Sequence, residues 1–217
     1  MLPYALHKPK KRLLLIRHGQ AGDQLIKRYI GQTDTRLTSQ GQRQIQALAL
    51  GLAGVPLERL VCSDLTRCVQ TAKILAAGHG LDPEPRAGLR EICLGGWEGL
   101  PMDQVKKKEP VAFAQRGRDL AGYRPPGGES FSDLLERVLP IFSALMAEAT
   151  GAVAIVCHAG VNRAILCHWL GLGVDKVFSL GQDPGCLNIV QPDSQGTIRL
   201  VALNIVLEQN LNQSMFG

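Results

Sequence analysis

The stretch Leu13-Leu14-Leu15-Ile16-Arg17-His18-Gly19-Gln20 decides the fold and indicates where the chemistry lies. Four consecutive large aliphatic residues are typical of a strand that is buried on both faces, as in the centre of a covered sheet. Arg17 and His18 follow at the carboxyl end of this strand, and open α/β sheets bind ligands at that edge. Gly19 would let a ligand approach the backbone closely. The stretch therefore predicts an anion site that contains a nucleophile.

The composition narrows the class of protein. A chain of 217 residues suits one large α/β domain, with two small domains as the alternative. Apolar residues make up 45% and charged residues 20%, which is typical of a soluble globular protein. Aromatic residues make up only 5%, which argues against a nucleic-acid surface built on base stacking. The net charge of +5 is small and scattered, so it favours attraction of an anionic substrate over binding of DNA or RNA.

The cysteines and the apolar segments indicate the cellular compartment in which the protein is expected. The six cysteines lie mostly in apolar surroundings and form no tight framework, so we expect reduced thiols in a cytoplasmic protein. No signal peptide is evident, and no apolar segment approaches the ~20 residues that cross a bilayer. The pairs Cys157-His158 and Cys167-His168 do not have the spacing of a zinc finger, so we expect neither a metal nor a cofactor.

The domain organisation follows from the distribution of apolar segments. We expect a flexible N-terminal arm over 1–11, a single domain over 12–207 and a C-terminal tail over 208–217. An irregular, glycine- and proline-rich insertion with one or two short helices occupies about 95–130. Strands alternate with amphipathic helices in the rest of the domain, which predicts a three-layer α/β/α sandwich around a mostly parallel sheet. Buried strands are expected at 60–62 and 152–156, and a closing hairpin at 187–190 and 198–203.

Two serines are candidates for capping helices. Ser39 and Gln42 have the spacing of a capping box at the start of the first helix. Ser63 follows the second predicted strand and is placed to cap the helix that begins there.

Further chemistry-bearing residues lie at comparable positions near strand ends. His158-Ala159-Gly160 follows the strand at 152–156, and the helix that begins there offers free backbone N–H groups to a phosphate. Arg67 lies in the first turns of the helix after the strand at 60–62, and Glu91 follows the segment around Pro85. Two histidines, two arginines and one carboxylate near sheet edges indicate phosphoryl transfer. The alternative for each residue is a structural role: a salt bridge for Arg67, an exposed carboxylate for Glu91, a helix cap for His158.

These segments, taken in order, resemble the histidine phosphatase superfamily, also called the phosphoglycerate mutase-like family. The resemblance covers about Leu13 to Asn204. The motifs that carry it are Leu15-Ile16-Arg17-His18-Gly19-Gln20, Tyr29-Ile30-Gly31-Gln32-Thr33-Asp34, Ser63-Asp64-Leu65-Thr66-Arg67, Leu89-Arg90-Glu91, Gly95-Gly96-Trp97-Glu98-Gly99, Pro126-Gly127-Gly128-Glu129-Ser130 and Val156-Cys157-His158-Ala159-Gly160.

The resemblance implies roles for the catalytic residues. His18 would attack phosphorus and form a phosphohistidine, which splits one displacement into two. Arg17, Arg67 and His158 would surround the transferred group, whose charge spreads over its equatorial oxygens. Glu91 would protonate the leaving oxygen and then activate water, with Glu98 as the rival acid.

The resemblance also implies contacts with the substrate. Its binding residues would be Arg17, Gly19, Gln20, Gln24, Gly31, Gln32, Arg67 and Ala159. Ala21 is a departure, because the family usually has threonine or serine after the Arg-His-Gly-Gln tetrad.

Three functions are compatible with this pattern. The first is a metal-independent phosphomonoesterase for small phosphorylated metabolites, similar to α-ribazole phosphatases and broad-specificity phosphomonoesterases. The second is a phosphoglycerate mutase-type isomerase, and the third is a phosphate-sensing module without turnover. The Gly95–Gly99 stretch and the short segment after Glu91 resemble the phosphatase branch, and the complete residue set argues against a sensing module. We expect no nucleic-acid or membrane partner, and the pattern leaves monomer and homodimer open.

Overall fold

The structure is a computed structural model that describes residues 10–22 and 26–207. Most of the predicted arm, the predicted C-terminal tail and Gln24 lie outside the described residues. The strands are β1 (Arg12–Arg17), β2 (Leu57–Ser63), β3 (Glu84–Arg86), β4 (Ala152–Cys157), β5 (Leu187–Pro192) and β6 (Ile198–Ile205). The helices are α1 (Ser39–Leu52), α2 (Thr66–Ala76), α3 (Met102–Lys108), α4 (Pro110–Arg118), α5 (Phe131–Glu148) and α6 (Ala159–Trp169).

One six-stranded sheet carries the fold, in the order β3-β2-β4-β1-β5-β6. The pairs β1–β4, β2–β4 and β2–β3 are parallel, whereas β5 pairs antiparallel with both β1 and β6. The predicted mostly parallel sheet and its closing hairpin are therefore confirmed. Because β1, β2 and β4 are parallel neighbours, their carboxyl ends meet at one edge of the sheet.

The apolar run in β1 explains the three layers. Leu13, Leu14, Leu15 and Ile16 are all fully buried, and successive side chains point to opposite faces of the sheet. Leu13 and Leu15 belong to a core that includes apolar residues of α5 and α6. Leu14 and Ile16 belong to a second core that includes residues of α1 and α2. The predicted α/β/α sandwich is confirmed, with β1 and β4 in its centre.

The irregular insertion forms the wall above the sheet edge. It contains the two short helices α3 and α4 and begins at a 3₁₀ turn over Gly95–Trp97. Gly95 adopts φ 53°, and a Cβ there would lie 2.2 Å from the carbonyl oxygen of Pro126. A side chain at this position is excluded by both conformation and space, so the Gly-Gly turn and the Pro126-Gly127-Gly128 turn pack backbone against backbone.

The two capping predictions were wrong. Thr38, not Ser39, is the N-cap of α1, and its side chain accepts a hydrogen bond from the Gly41 N–H. Leu65 occupies the N-cap position of α2 without a side-chain cap. Ser63 is still inside β2 and is fully buried, so its hydroxyl is available to the site described below. No helix within the described ranges is long and apolar enough to cross a membrane.

Candidate active site

A cavity of about 400 Å³ opens where the carboxyl ends of β1, β2 and β4 meet. Arg17, His18, Arg67, Glu91 and Ala159 line it, so the fold brings together residues that are far apart in the sequence. Residues of the insertion form part of the wall. The positions follow from topology, because each of the three strands delivers its following loop to the same edge.

His18 lines the cavity with one of its two ring nitrogens already bound to the backbone. Its Nδ1 lies 2.7 Å from the Gly19 carbonyl oxygen, so Nδ1 carries the proton and Nε2 keeps its lone pair. The residue is 8% exposed, and its backbone N–H is fixed on the carbonyl of Cys157 at 3.0 Å. Burial and the nearby charges of Arg67 and Arg17 lower the pKa of His18 well below 6.5. The ring is therefore neutral and held in one orientation at physiological pH.

His158 lies behind the cavity wall and packs against His18, with the two ring centroids 5.2 Å apart. Its Nδ1 accepts a hydrogen bond from Nε of Arg67 at 3.3 Å, and Nε2 lies 2.9 Å from Oγ of Ser63. The neutral ring thus carries its proton on Nε2, and this N–H donates a hydrogen bond to Oγ of Ser63. Burial, Arg67 and His18 lower the pKa of His158 well below 6.5. His158 thus contacts Arg67, Ser63 and the ring of His18, and Ser63 is a partner that sequence reasoning missed.

Arg67 is anchored by the loop that precedes α1. Its two terminal nitrogens donate to the carbonyl oxygens of Thr33 at 2.8 Å and Gly31 at 2.7 Å. With Nε on His158, three of its five N–H groups are held by the fold. Arg67 is 2% exposed, so these contacts fix the guanidinium where it meets the cavity.

Glu98 organises that loop and does not face the cavity. Its Oε1 accepts hydrogen bonds from the N–H groups of Gln32 at 2.9 Å and Leu94 at 3.1 Å, and it does not line the cavity. Gln32 in turn donates its side-chain amide to the carbonyl oxygen of Glu91 at 3.0 Å. The structure places Gly31 on the cavity wall and Gln32 behind Glu91.

Glu91 lies on the cavity wall against the first turn of α6. Its Oε2 accepts a hydrogen bond from the Gly160 N–H at 3.0 Å, and its Oε1 accepts one from Ile92 at 3.0 Å. A Cβ at Gly160 would lie 2.3 Å from the carboxylate, so only glycine permits this contact. The carboxylate is thus held by the first turn of α6.

Glu129 and Arg137 hold the backbone around Glu91. Both carboxylate oxygens of Glu129 pair with Arg137 at 2.8 Å. Arg137 also donates to the carbonyl oxygens of Arg90 at 3.0 Å and Glu91 at 3.3 Å. Glu129 therefore acts through Arg137 on the backbone segment that carries Glu91.

Arg17 depends on a loop that the sequence did not single out. Its Nη1 donates to the carbonyl oxygen of Gln182, 165 positions away. The same loop holds the backbone of the site, because Gly185 N–H donates to His18 O at 3.0 Å and Arg17 N–H donates to Cys186 O at 3.1 Å. The segment reaches this edge because β5 runs antiparallel to β1, so the loop before β5 lies beside the end of β1.

A buried amide network fixes this loop. Oε1 of Gln182 accepts hydrogen bonds from Asn162 at 2.9 Å and Asn188 at 3.0 Å, and Nε2 of Gln182 donates to Asn188 at 2.7 Å. Asn162 and Asn188 are fully buried and Gln182 is 3% exposed. Fully satisfied buried networks rigidify their surroundings, so Gln182 is positioned to hold Arg17. The only sequence signal was a turn-rich segment directly before an apolar strand.

The remaining predicted binding residues divide into two groups. Gln20 and Ala159 line the cavity, whereas Gly19 does not. Gly19 is required for a different reason: a Cβ there would lie 2.5 Å from the carbonyl oxygen of Gly41 in α1. Ala21 lines the cavity and forms an isolated bridge with Leu37.

Metal-binding clusters are absent from residues 10–22 and 26–207, where no group of three or more histidine, cysteine, aspartate or glutamate side chains is arranged to hold an ion.

Comparisons with known proteins agree with this geometry. A family model described as histidine phosphatase superfamily (branch 1) matches residues 13–206. Glucosyl-3-phosphoglycerate phosphatase of Mycolicibacterium vanbaalenii is 36% identical over 179 residues, which are 79% of each protein. A solved mycobacterial glucosyl-3-phosphoglycerate phosphatase in complex with VO3 has a TM-score of 0.80 and 32% identity, covering 89% of this chain and 98% of that chain. α-Ribazole phosphatase from Shigella flexneri has a TM-score of 0.82 and 25% identity, covering 91% of this chain and 98% of that one. All three are named as phosphatases, and their names specify two different substrates.

Proposed function

This chain belongs to the histidine phosphatase superfamily and is a phosphatase, and on that basis we propose that it hydrolyses phosphomonoesters of small metabolites through a phosphohistidine on His18. The observation that carries the proposal is the arrangement of His18. Its Nδ1 is bound to Gly19 O, its Nε2 is left with a lone pair, and Arg17, Arg67 and Glu91 line the same cavity.

The first step transfers the phosphoryl group to the enzyme. Nε2 of His18 attacks phosphorus, the bond from phosphorus to the ester oxygen breaks, and Glu91 donates a proton to the leaving oxygen. Arg17 and Arg67 pair with the equatorial oxygens. The loose transition state spreads negative charge over these oxygens, and the two fixed cations stabilise it. Both guanidiniums are held by carbonyl groups before substrate arrives, so little reorganisation is needed during the reaction.

The second step returns the histidine to its free form. Glu91 accepts a proton from a water molecule, the water oxygen attacks phosphorus, and the bond between phosphorus and Nε2 breaks to release inorganic phosphate. Nδ1 keeps its proton and donates a hydrogen bond to the Gly19 carbonyl oxygen throughout, which keeps the ring orientation fixed. These residues complete the cycle without a metal, and we propose that the reaction is metal-independent.

Two kinds of substrate are suggested by the relatives. α-Ribazole phosphate follows from the resemblance to α-ribazole phosphatases, and a glucosylated phosphoglycerate follows from the relatives that carry that name. Both are small phosphorylated metabolites, and a cavity of about 400 Å³ is large enough for a ligand of this class.

The test is the release of inorganic phosphate from a panel of phosphomonoesters with a chelator present. The panel contains para-nitrophenyl phosphate, α-ribazole phosphate, glucosyl-3-phosphoglycerate and 3-phosphoglycerate. We expect hydrolysis by the wild type and a loss of about 10³-fold or more in His18→Ala. His168→Ala is the matched control, because that histidine is exposed and does not line the cavity, and it should retain wild-type rates. A denaturing alkaline quench of the wild type with a labelled ester should trap an acid-labile, alkali-stable phosphohistidine.

Each contrary outcome has a specific meaning. Conversion of 3-phosphoglycerate to its 2-isomer without release of phosphate would identify a mutase. Binding of phosphomonoesters without turnover of any ester would identify a sensing module. Hydrolysis that persists in His18→Ala would refute the assignment of the nucleophile, and loss of activity with chelator would refute the metal-independent mechanism.

A further inference from the structure

The described lining of the cavity contains many more cations than one phosphate group requires. Six cationic side chains and a single carboxylate, that of Glu91, line it. The cations are Arg17, Lys27, Arg28, Arg67, Arg116 and Arg163. Arg17 and Arg67 belong to the reaction centre, where they are sufficient to bind the oxygens of a phosphoryl dianion.

Arg28 and Arg116 differ from the partly exposed arginines that lie outside the cavity in the described residues. Those arginines pair with carboxylates, as in Arg59–Glu84, Arg90–Asp64 and Arg137–Glu129. Among the described residues, no carboxylate forms an ion pair with Arg28 or Arg116. Both are only partly exposed, so their charges are partly desolvated without a counter-charge from the protein.

The fold holds both guanidiniums at the cavity rather than leaving them free in solvent. Nη1 of Arg28 donates to the carbonyl oxygen of Gly99 at 2.9 Å. Cζ of Arg116 lies 5.5 Å from the ring centroid of Tyr29, the residue that follows Arg28. Tyr29 is 5% exposed and packs against Trp97 at a centroid distance of 5.3 Å, which makes the platform rigid. Burial lowers the pKa of Arg116, as expected for a guanidinium that is removed from water.

We propose that Arg28 and Arg116 form a subsite for a second anionic group of the substrate, a carboxylate or a second phosphate on the part of the molecule that leaves with the ester oxygen. The inference rests on the proposed phosphatase function and narrows its substrate class. A planar guanidinium pairs with two oxygens of either group, and each partly buried pair gains strength from the reduced exposure to water. Other N–H groups of Arg28 remain available beside the one held by Gly99.

The subsite separates the two kinds of substrate considered above. α-Ribazole phosphate has one phosphate and no other anionic group, so it would leave the charges of Arg28 and Arg116 uncompensated. A phosphoglycerate ester carries a carboxylate close to its phosphate and would compensate them. The inference therefore favours the second kind of substrate, or a bisphosphate.

The experiment compares substrates that differ in one anionic group. The carboxylate arm measures kcat/KM for 3-phosphoglycerate against glycerol 3-phosphate, in which a hydroxymethyl group replaces the carboxylate. The phosphate arm compares fructose 1,6-bisphosphate with fructose 6-phosphate. Each is measured for the wild type, Arg28→Gln, Arg116→Gln and the matched control Arg118→Gln. Arg118 is exposed, lies two positions further along α4 and does not line the cavity, so it tests net charge alone.

We expect the wild type to prefer the more anionic member of at least one pair by about tenfold or more, which corresponds to about 1.4 kcal/mol. Arg116→Gln and Arg28→Gln should each reduce that ratio toward one, and Arg118→Gln should keep it. Equal kcat/KM within both pairs would overturn the inference, as would a ratio that survives in both subsite variants. A failure of the proposed function is distinct from this, since para-nitrophenyl phosphate would then not be hydrolysed in a His18-dependent manner.

Discussion

The two buried histidines should make the stability of the protein depend on pH in a defined window. His18 and His158 are 8% and 0% exposed, and burial together with nearby cations lowers both pKa values well below 6.5. In the unfolded chain each histidine takes up a proton near pH 6.5. Below that pH the unfolded state binds more protons than the folded state, so the free energy of unfolding must fall as the pH falls. Above about pH 7 these two groups add no pH dependence.

The magnitude follows from the number of protons. At about pH 5.5, a histidine that stays neutral in the folded state costs about 1.4 kcal/mol of stability, so the two together cost about 2.8 kcal/mol. Carboxylates of the unfolded chain titrate near pH 4 and contribute little in this window. The wild type should therefore lose most of this amount between about pH 7.5 and pH 5.5. His158→Gln removes one of the two groups and should lose only about half as much.

Equilibrium unfolding in urea, at constant ionic strength and at several pH values between these limits, measures the effect. The difference between pH values is the readout, so a variant that is less stable at every pH remains informative. The double variant His18→Gln/His158→Gln should show almost no loss in the same window. The reasoning would be refuted by a wild-type unfolding free energy that stays constant from pH 7.5 to 5.5, or by an undiminished loss in the double variant.

Two further predictions concern contacts that the tertiary structure creates. Gln182→Leu should lower kcat/KM about tenfold or more in the wild-type background but have little further effect after Arg17→Ala, because the Gln182 side chain fixes the loop whose backbone carbonyl binds Arg17. Independent effects of the two substitutions in this double-mutant cycle would contradict that role. Gly41→Ala should destabilise the fold by about 1–3 kcal/mol, because its Cβ would lie 2.1 Å from the carbonyl oxygen of Gln20. The control Gly117→Ala, a helical glycine with open space around it, should stabilise by about 0.5–1 kcal/mol in thermal unfolding, and equal effects of the two would count against the steric argument.

The sequence contained strong signals for the parts of the fold that depend on local pattern. The run from Leu13 to Ile16 predicted a central strand because four large aliphatic residues in succession require burial on both faces, and all four are fully buried. The prediction of Ser39 as the cap of α1 failed because a local pattern could not choose between neighbouring residues. Several hydroxyl residues near a helix start satisfy the same local pattern, and the choice of Thr38 depends on a contact with Gln20 from another segment.

The motifs predicted which residues belong to the site but not how each one is placed in it. Arg17, His18, Arg67 and Glu91 were predicted from their motifs, and the structure brings them to one cavity. His158 was expected around the transferred group; in the structure it does not line the cavity and accepts a hydrogen bond from Arg67. The sequence predicted the residue types of the site. It did not predict which of them line the cavity and which contact those residues from outside it.

The sequence by itself determined the sheet, its layers and the identity of the residues at its carboxyl edge, because strand burial and the placement of strand ends follow from local periodicity and parallel pairing. Only the tertiary structure decided which nitrogen of His18 is free, what holds Arg17 and which cations line the cavity. Gln182 meets Arg17 across 165 positions, and Arg116 reaches the cavity by stacking on Tyr29. These contacts join segments with no local pattern in common, so they exist only once the antiparallel β5 and the insertion have packed against the sheet edge.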